Sequence, residues 1–106
     1  MKRSQDDMKA LNKHLGANLK AIRKHLKMSQ PEMGAMLGIS PQQWYKYESG
    51  KNFLTTADSA LLIVAGIPFS WIYKNIESVI MFDVGEAQLM RYRFEDIGKK
   101  EAGGKP

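Results

Sequence analysis

The chain has 106 residues, of which 43% are hydrophobic and 25% are charged. This length provides one domain and a little additional chain, and the composition is typical of a globular protein rather than a disordered or collagen-like one. There is no cysteine, which excludes disulfides and thiolate metal sites. The apolar run 60–65 is far shorter than the roughly 20 residues that span a bilayer. With no signal peptide expected either, we predict a cytoplasmic protein without a membrane span.

The positive charge is concentrated at the front of the chain. The formal net charge is +5, and residues 1–30 hold eight of the sixteen basic residues but two of the eleven acidic ones. Such a basic segment is expected of a protein that contacts phosphate, although ribosome-facing and lipid-facing proteins share it. Charge alone therefore favours no single function.

The first predicted element is an amphipathic helix from Met8 to Leu26. Its apolar residues recur every three or four positions and, at about 100° per residue, form one face about 80° wide. Nearly opposite lies a lysine face, interpreted as a solvated surface, which consists of Lys9, Lys13, Lys20, Lys24 and Lys27. Gly16 leaves open whether this stretch is one helix or two, since glycine is unfavourable in a helix interior.

A second helix is predicted over about 29–37. Ser29 has the character of an N-cap, Pro31 falls in the first turn, and Gly38 follows the last apolar residue as a left-handed C-terminal residue. These signals bound a short helix and the start of a tight turn.

A third helix begins about three residues later. Ser40 and the proline after it provide an N-cap and a first position, and Gly50 ends the helix. Trp44 and Tyr47 are spaced to point inward. Two short helices joined by a glycine-containing turn are the helix-turn-helix arrangement, here over residues 29–49.

The later elements are shorter. Thr55 or Thr56 caps a fourth helix that reaches Ala65, and residues 69–73 are predicted as a short fifth helix. Residues 1–75 would then form the main domain.

The last third of the chain permits more than one structure. Residues 76–97 are predicted to form a C-terminal extension, either a β-hairpin that turns near Gly85 or a helix, with the hairpin preferred. Residues 98–106 hold three glycines, three lysines and a proline, and this composition predicts a disordered tail.

The strings SQPEMGAMLGIS (29–40) and YKYESGK (45–51) carry a specific resemblance. Over residues 15–73, with Arg23, Gly38 and Gly50 among the positions that match in order, they resemble the Cro and phage-repressor type of helix-turn-helix domain, often called the XRE family. The resemblance implies a mainly α, compact, five-helix, lambda-repressor-like fold. It leaves residues 76–106 unexplained.

The resemblance also implies that the helix at 41–49 enters the major groove of DNA. Residues near the start of such a helix reach base edges. Gln42 and Gln43 can each pair bidentately with adenine, with Gln42 the first candidate, and Lys46 can donate to guanine. Tyr45 stands where the family has a small serine. It is expected to contact a thymine methyl group, a phosphate or neither.

Further roles follow from the same resemblance. Contacts to DNA phosphates, which position a protein without specifying sequence, are expected from Gln30, Ser40, Lys51 and Asn52. Arg23 and Glu48 are expected to form an internal ion pair that orients the third helix.

Two departures from the family pattern bear on packing and partners. Trp44 replaces an aliphatic residue and is interpreted as part of the core. The fourth helix is apolar on all sides, and apolar patches that one chain cannot cover usually mark association. The predicted dimer or partner surface consists of Leu62, Ile63, Trp71, Ile80 and Phe82. In an alternative arrangement, the extension folds back and covers this patch within one chain.

The sequence therefore predicts a sequence-specific transcriptional regulator, a repressor that binds a palindrome-like operator as a homodimer in a bacterial or phage nucleoid. The alternative is an antitoxin or other interaction protein whose apolar C-terminal third binds a toxin or another protein. His14 and His25 have no acidic or thiolate partner at helical spacing, so neither a metal site nor a catalytic residue is expected. No cofactor is expected, and the protein is predicted not to be an enzyme.

Overall fold

A computed structural model describes residues 5–79, and within this range the fold is entirely helical, with no strand. Its elements are α1 (Gln5–His25), α2 (Gln30–Leu37), α3 (Pro41–Glu48), α4 (Thr56–Val64), α5 (Phe69–Ile72) and a 3₁₀ turn at Ile76–Ser78. The five-helix helix-turn-helix fold that the sequence predicts is confirmed. The predicted hairpin or helix beyond the 3₁₀ turn and the predicted tail at 98–106 lie outside the described residues.

Helix α2 and the turn after it form where the local signals place them. The Ser29 hydroxyl accepts from the Glu32 amide at 3.2 Å and the Glu32 carboxylate accepts from the Ser29 amide at 2.9 Å, which is a complete capping box. At the other end Gly38 has φ of 72°, a left-handed conformation that glycine adopts without a Cβ clash. The chain therefore turns within residues 38–40 and enters α3.

The core lies between α1 and the four shorter helices. Its buried hydrophobic cluster contains Leu19, Ile22, Met33, Leu37, Trp44, Tyr47, Leu62, Ile67 and Ile72. Trp44 is fully buried, as the sequence predicts. Each of the five helices contributes at least one of these residues, so the core depends on all of them being in place.

Helix α1 answers the question that the sequence left open at Gly16. It runs without a break through Gly16, which is buried. A Cβ at this position would lie 2.5 Å from the Glu48 carbonyl oxygen and closer still to that of Tyr47. Gly16 therefore permits close packing of α1 against the end of α3, and the break that its helix propensity suggested does not occur.

Candidate nucleic-acid interface

Helix α3 presents one side to the core and the other to solvent. Trp44 and Tyr47 are buried, while Gln42, Tyr45 and Lys46 are exposed. Because residues three and four apart share a helix face, these exposed side chains lie on the outer half of the helix. Burial of the two aromatic rings thus determines which residues α3 offers to a partner.

The inner side of α3 ends at a buried carboxylate that receives four hydrogen bonds. Arg23 donates from Nε to Glu48 Oε2 at 2.6 Å and from Nη2 to Oε1 at 3.2 Å. Gln30 Nε2 donates to Oε1 at 3.2 Å, and the indole N–H of Trp44 donates to Oε2. Only 3% of the Glu48 side chain is exposed. We name these four residues the Glu48 cluster.

The environment of this carboxylate favours its charged form. Burial raises the pKa of Glu48, but hydrogen bonds from Arg23, Trp44 and Gln30 and the charge of Arg23 together hold that pKa below its ordinary value of 4.5. Hydrogen bonds to the ionised form have this effect because they stabilise the charge that burial alone would disfavour. The cluster therefore joins α1, α2 and α3 through an ionised carboxylate at neutral pH.

The Glu48 cluster contains two contacts that the sequence did not predict. The sequence paired Arg23 with Glu48, and the structure brings these two together. The resemblance assigned Gln30 to a phosphate, which stays a prediction, and the structure adds a contact from its amide to Glu48. Trp44 was expected only in the core, and its N–H donation to the carboxylate was missed. The signal that could have found it is the spacing, since residues four apart on one helix are neighbours.

A second capping box positions the start of α3. The Ser40 hydroxyl accepts from the Gln43 amide at 3.1 Å, and the Gln43 side-chain oxygen accepts from the Ser40 amide at 3.1 Å. Both the backbone N–H and the side-chain oxygen of Gln43 thus form hydrogen bonds at the start of α3. Gln42 has no such contact among the described residues, and so its side chain is the freer of the two glutamines.

The N-terminal ends of α2 and α3 form a shallow surface pocket of about 340 Å³ that is open to solvent. It is lined by Gln30, Pro41, Gln42 and Tyr45, which brings residues proposed for phosphate and for base contact to one concave surface. Because α2 and α3 both begin here, the surface also receives the positive ends of two helix dipoles.

The turn after α3 extends this surface. The amides of Lys51 and Asn52 both donate to the Lys46 carbonyl, at 2.9 and 3.2 Å, so the turn folds back onto the helix. The Lys51 ammonium lies 5.7 Å from the centre of the Tyr45 ring, within the range of a cation–π contact. Lys46, Lys51 and Asn52 are all exposed.

The predicted dimer or partner surface is partly wrong. Leu62 is completely buried in the core of its own chain, where it is the large apolar side chain that α4 contributes. Ile63 and Trp71 are exposed, and Ile80 and Phe82 lie outside the described residues. The exposed large hydrophobic residues of α4 and α5 are Leu61, Ile63, Val64, Phe69 and Trp71, and we name them the α4–α5 patch.

Other kinds of site are not found in the part of the chain that the structure describes. Within residues 5–79 there is no group of three or more side chains able to hold a metal ion. None of the helices there is long and apolar enough to cross a membrane.

Comparison with known proteins agrees with this geometry. Residues 16–64 match a family model described as a helix-turn-helix domain, and this stretch runs from Gly16 in α1 to the last residue of α4. No curated protein and no solved structure shows significant similarity to the chain. The chain thus contains a helix-turn-helix domain, and helix-turn-helix domains are DNA-binding modules.

Proposed function

We propose that this protein is a sequence-specific transcriptional repressor of the Cro and phage-repressor type that reads DNA with α3. The observation that carries the proposal is the orientation of α3, whose buried Trp44 and Tyr47 leave Gln42, Tyr45 and Lys46 exposed. A recognition helix needs this division, because its outer side chains must reach base edges in the major groove while its inner side holds it to the domain.

The two glutamines of α3 have different roles in this proposal. Gln42 contacts a base, since a glutamine amide can both donate to and accept from adenine. The side-chain oxygen of Gln43 accepts a hydrogen bond from the Ser40 amide. Gln43 therefore mainly stabilises the start of α3, and its contact with DNA is secondary. Lys46, one turn beyond Gln42, donates to guanine. Lys51 and Asn52 contact phosphates.

The α4–α5 patch is proposed to bind a second copy of the chain. Val64 is 83% exposed and Phe69 is 63% exposed, and solvent contact with several large apolar side chains is unfavourable. A two-fold dimer would bury this patch and place two copies of α3 on the halves of a palindrome-like operator. Occupancy of that operator in a bacterial or phage nucleoid would block transcription, with no catalytic step.

DNA binding is tested by measuring the Kd for duplex DNA from upstream of the protein's own gene and for a shuffled duplex, both at about 0.15 M salt. The native sequence should bind at least about a thousandfold more tightly, as specific readers do. Equal affinities that decline together with rising salt would refute sequence-specific regulation, because they report phosphate attraction alone.

Gln42→Ala tests the assignment of α3. It should raise the Kd for the preferred duplex about tenfold and relax the preference at one base pair, since a bidentate pair contributes about 1 to 3 kcal/mol. Gln5→Ala, at an exposed glutamine at the start of α1, is the matched control and should change neither. If Gln42→Ala weakens the preferred and shuffled duplexes equally, Gln42 does not read a base.

The dimer is tested by sedimentation equilibrium at the concentration used for DNA binding. Val64→Lys should convert a dimer into a monomer, because a charge would be buried at the interface. Ala17→Lys adds the same charge at an exposed position of α1 and should leave the dimer intact. A wild-type chain that is monomeric under these conditions, both free and on DNA, would contradict the proposed dimer.

A further inference from the structure

The lysine face of α1 lies beside the candidate recognition helix. At about 100° per residue, Asn12, Gly16 and Arg23 fall within a sector about 40° wide that separates the apolar face of α1 from its lysine face. All three contact α3 or the turn that follows it. The helix α3 therefore packs along the border of the lysine face.

A further close contact between α1 and the end of α3 lies around Gly50. Asn12 Nδ2 donates to the Gly50 carbonyl at 2.8 Å, and a Cβ on Gly50 would lie only 3.0 Å from Lys13 Cγ. Gly50 is followed by Lys51, whose ammonium lies over the outward-facing Tyr45 ring. A continuous surface thus runs from Tyr45 through the turn to the stem of Lys13.

Helix α5 packs on a different side of α1 and leaves the lysine face uncovered. It is held by Asn18, which donates to the carbonyls of Ile72 at 3.0 Å and Lys74 at 3.1 Å. Asn18 lies about 160° around α1 from Gly16. Lys9 and Lys13 are both exposed.

The charges around Lys13 are positive. Helix α1 has no acidic residue between Lys9 and its end at His25, and Asp6 is the acid one turn before Lys9 on the same face. The nearby Glu48 carboxylate is buried and bound to Arg23, so it is not available to neutralise Lys13.

We propose that Lys9 and Lys13 contact the phosphate backbone of duplex DNA beside the site that α3 reads. This inference rests on the proposed function, and it concerns a part of α1 that precedes the stretch matched by the helix-turn-helix model. Lys9 and Lys13 are one helical turn apart, about 6 Å along the axis, so they add contacts along the strand beyond Lys51. Ammonium groups that neutralise phosphates release condensed counterions, which makes their contribution measurable as salt dependence.

The experiment is a series of Kd measurements between about 50 and 200 mM salt for wild type, Lys9→Gln, Lys13→Gln and Lys74→Gln. Lys74 is the matched control, because it is exposed and lies at the α5 side of α1. Lys9→Gln and Lys13→Gln should each reduce the slope of log K against log salt by about 0.9. Lys74→Gln should leave the slope unchanged, and Lys13→Arg, which keeps the charge, should retain the wild-type slope.

The slopes are measured on the upstream duplex and on the shuffled one. Phosphate contacts carry no sequence information, so the loss should appear on both. If Lys9→Gln and Lys13→Gln behave like Lys74→Gln on both duplexes, the inference is wrong while specific binding by α3 stands. If the wild type shows no preference between the duplexes but the slopes still fall, sequence-specific regulation fails and the phosphate contact stands.

Discussion

Replacement of Glu48 by glutamine should destabilise the whole domain, although it changes the size of the side chain very little. Both carboxylate oxygens accept two hydrogen bonds each, with Arg23, Gln30 and Trp44 as the donors. An amide has one oxygen and one NH₂ group. In either orientation, the NH₂ of glutamine would therefore face two donors and lose both of their hydrogen bonds.

The magnitude follows from burial. The Glu48 side chain is 3% exposed and that of Arg23 is 15% exposed. Removal of one partner from a buried ion pair costs about 3 to 5 kcal/mol, and because Arg23 keeps some contact with water we expect the lower end, about 3 kcal/mol. For a domain of this size each kcal/mol lowers Tm by at least about 4 °C, so Tm should fall by about 12 °C or more.

Urea unfolding followed by circular dichroism measures this change, with Glu32→Gln as the matched control. Glu32 is exposed, and its role in the capping box with Ser29 can be filled by glutamine. That variant should therefore stay within about 0.5 kcal/mol of wild type.

Equal unfolding midpoints for Glu48→Gln and Glu32→Gln would contradict this expectation. Such a result would mean that the Glu48 cluster contributes no net stability, and that the position of α3 depends on the apolar contacts of Trp44 and Tyr47 alone.

Three further predictions concern the contacts of α3 with the rest of the domain. Gly16→Ala should destabilise the domain by about 1 to 3 kcal/mol in urea unfolding, since its Cβ would meet the carbonyl oxygens of Tyr47 and Glu48. A stabilised variant, as helix propensity alone predicts, would contradict the close packing. Because the folded state lowers the pKa of Glu48, its stabilisation is fully present above about pH 4.5 and is lost as the pH falls through that lower pKa. The gap in unfolding free energy between wild type and Glu48→Gln should therefore narrow in acid, and a gap that is constant down to about pH 2 would show that the pKa is not coupled to folding. Tyr47→Phe should reduce stability by about 1.5 kcal/mol, because the hydroxyl donates to the Asp58 carboxylate; an unchanged midpoint would show that this bond has no net effect.

Much of the fold was predictable because its signals are local. The caps at Ser29 and Ser40 and the left-handed Gly38 act within three or four residues, so the chain between them has few other structures available. The inward direction of Trp44 and Tyr47 follows from their spacing alone.

The candidate site was less predictable where one residue type suits two roles. A glutamine can read a base, contact a phosphate or complete a cap, and the structure places Gln30 on Glu48 and Gln43 on Ser40. Leu62 was assigned to a partner surface because α4 is apolar on all sides. Periodicity does not show which of several apolar faces of a helix packs on the core. In α4 it is the face that carries Leu62.

The helices, the turn between α2 and α3 and the exposed side of α3 could all be predicted from the amino-acid sequence, because caps, glycine conformations and helical spacing are properties of short segments. The folded structure was needed to show that Gln30 joins Arg23 at Glu48, why Gly16 is compatible with a continuous helix, and that the lysine face of α1 borders α3. These depend on how close helices distant in sequence approach one another. That distance is determined by the packing of the whole core.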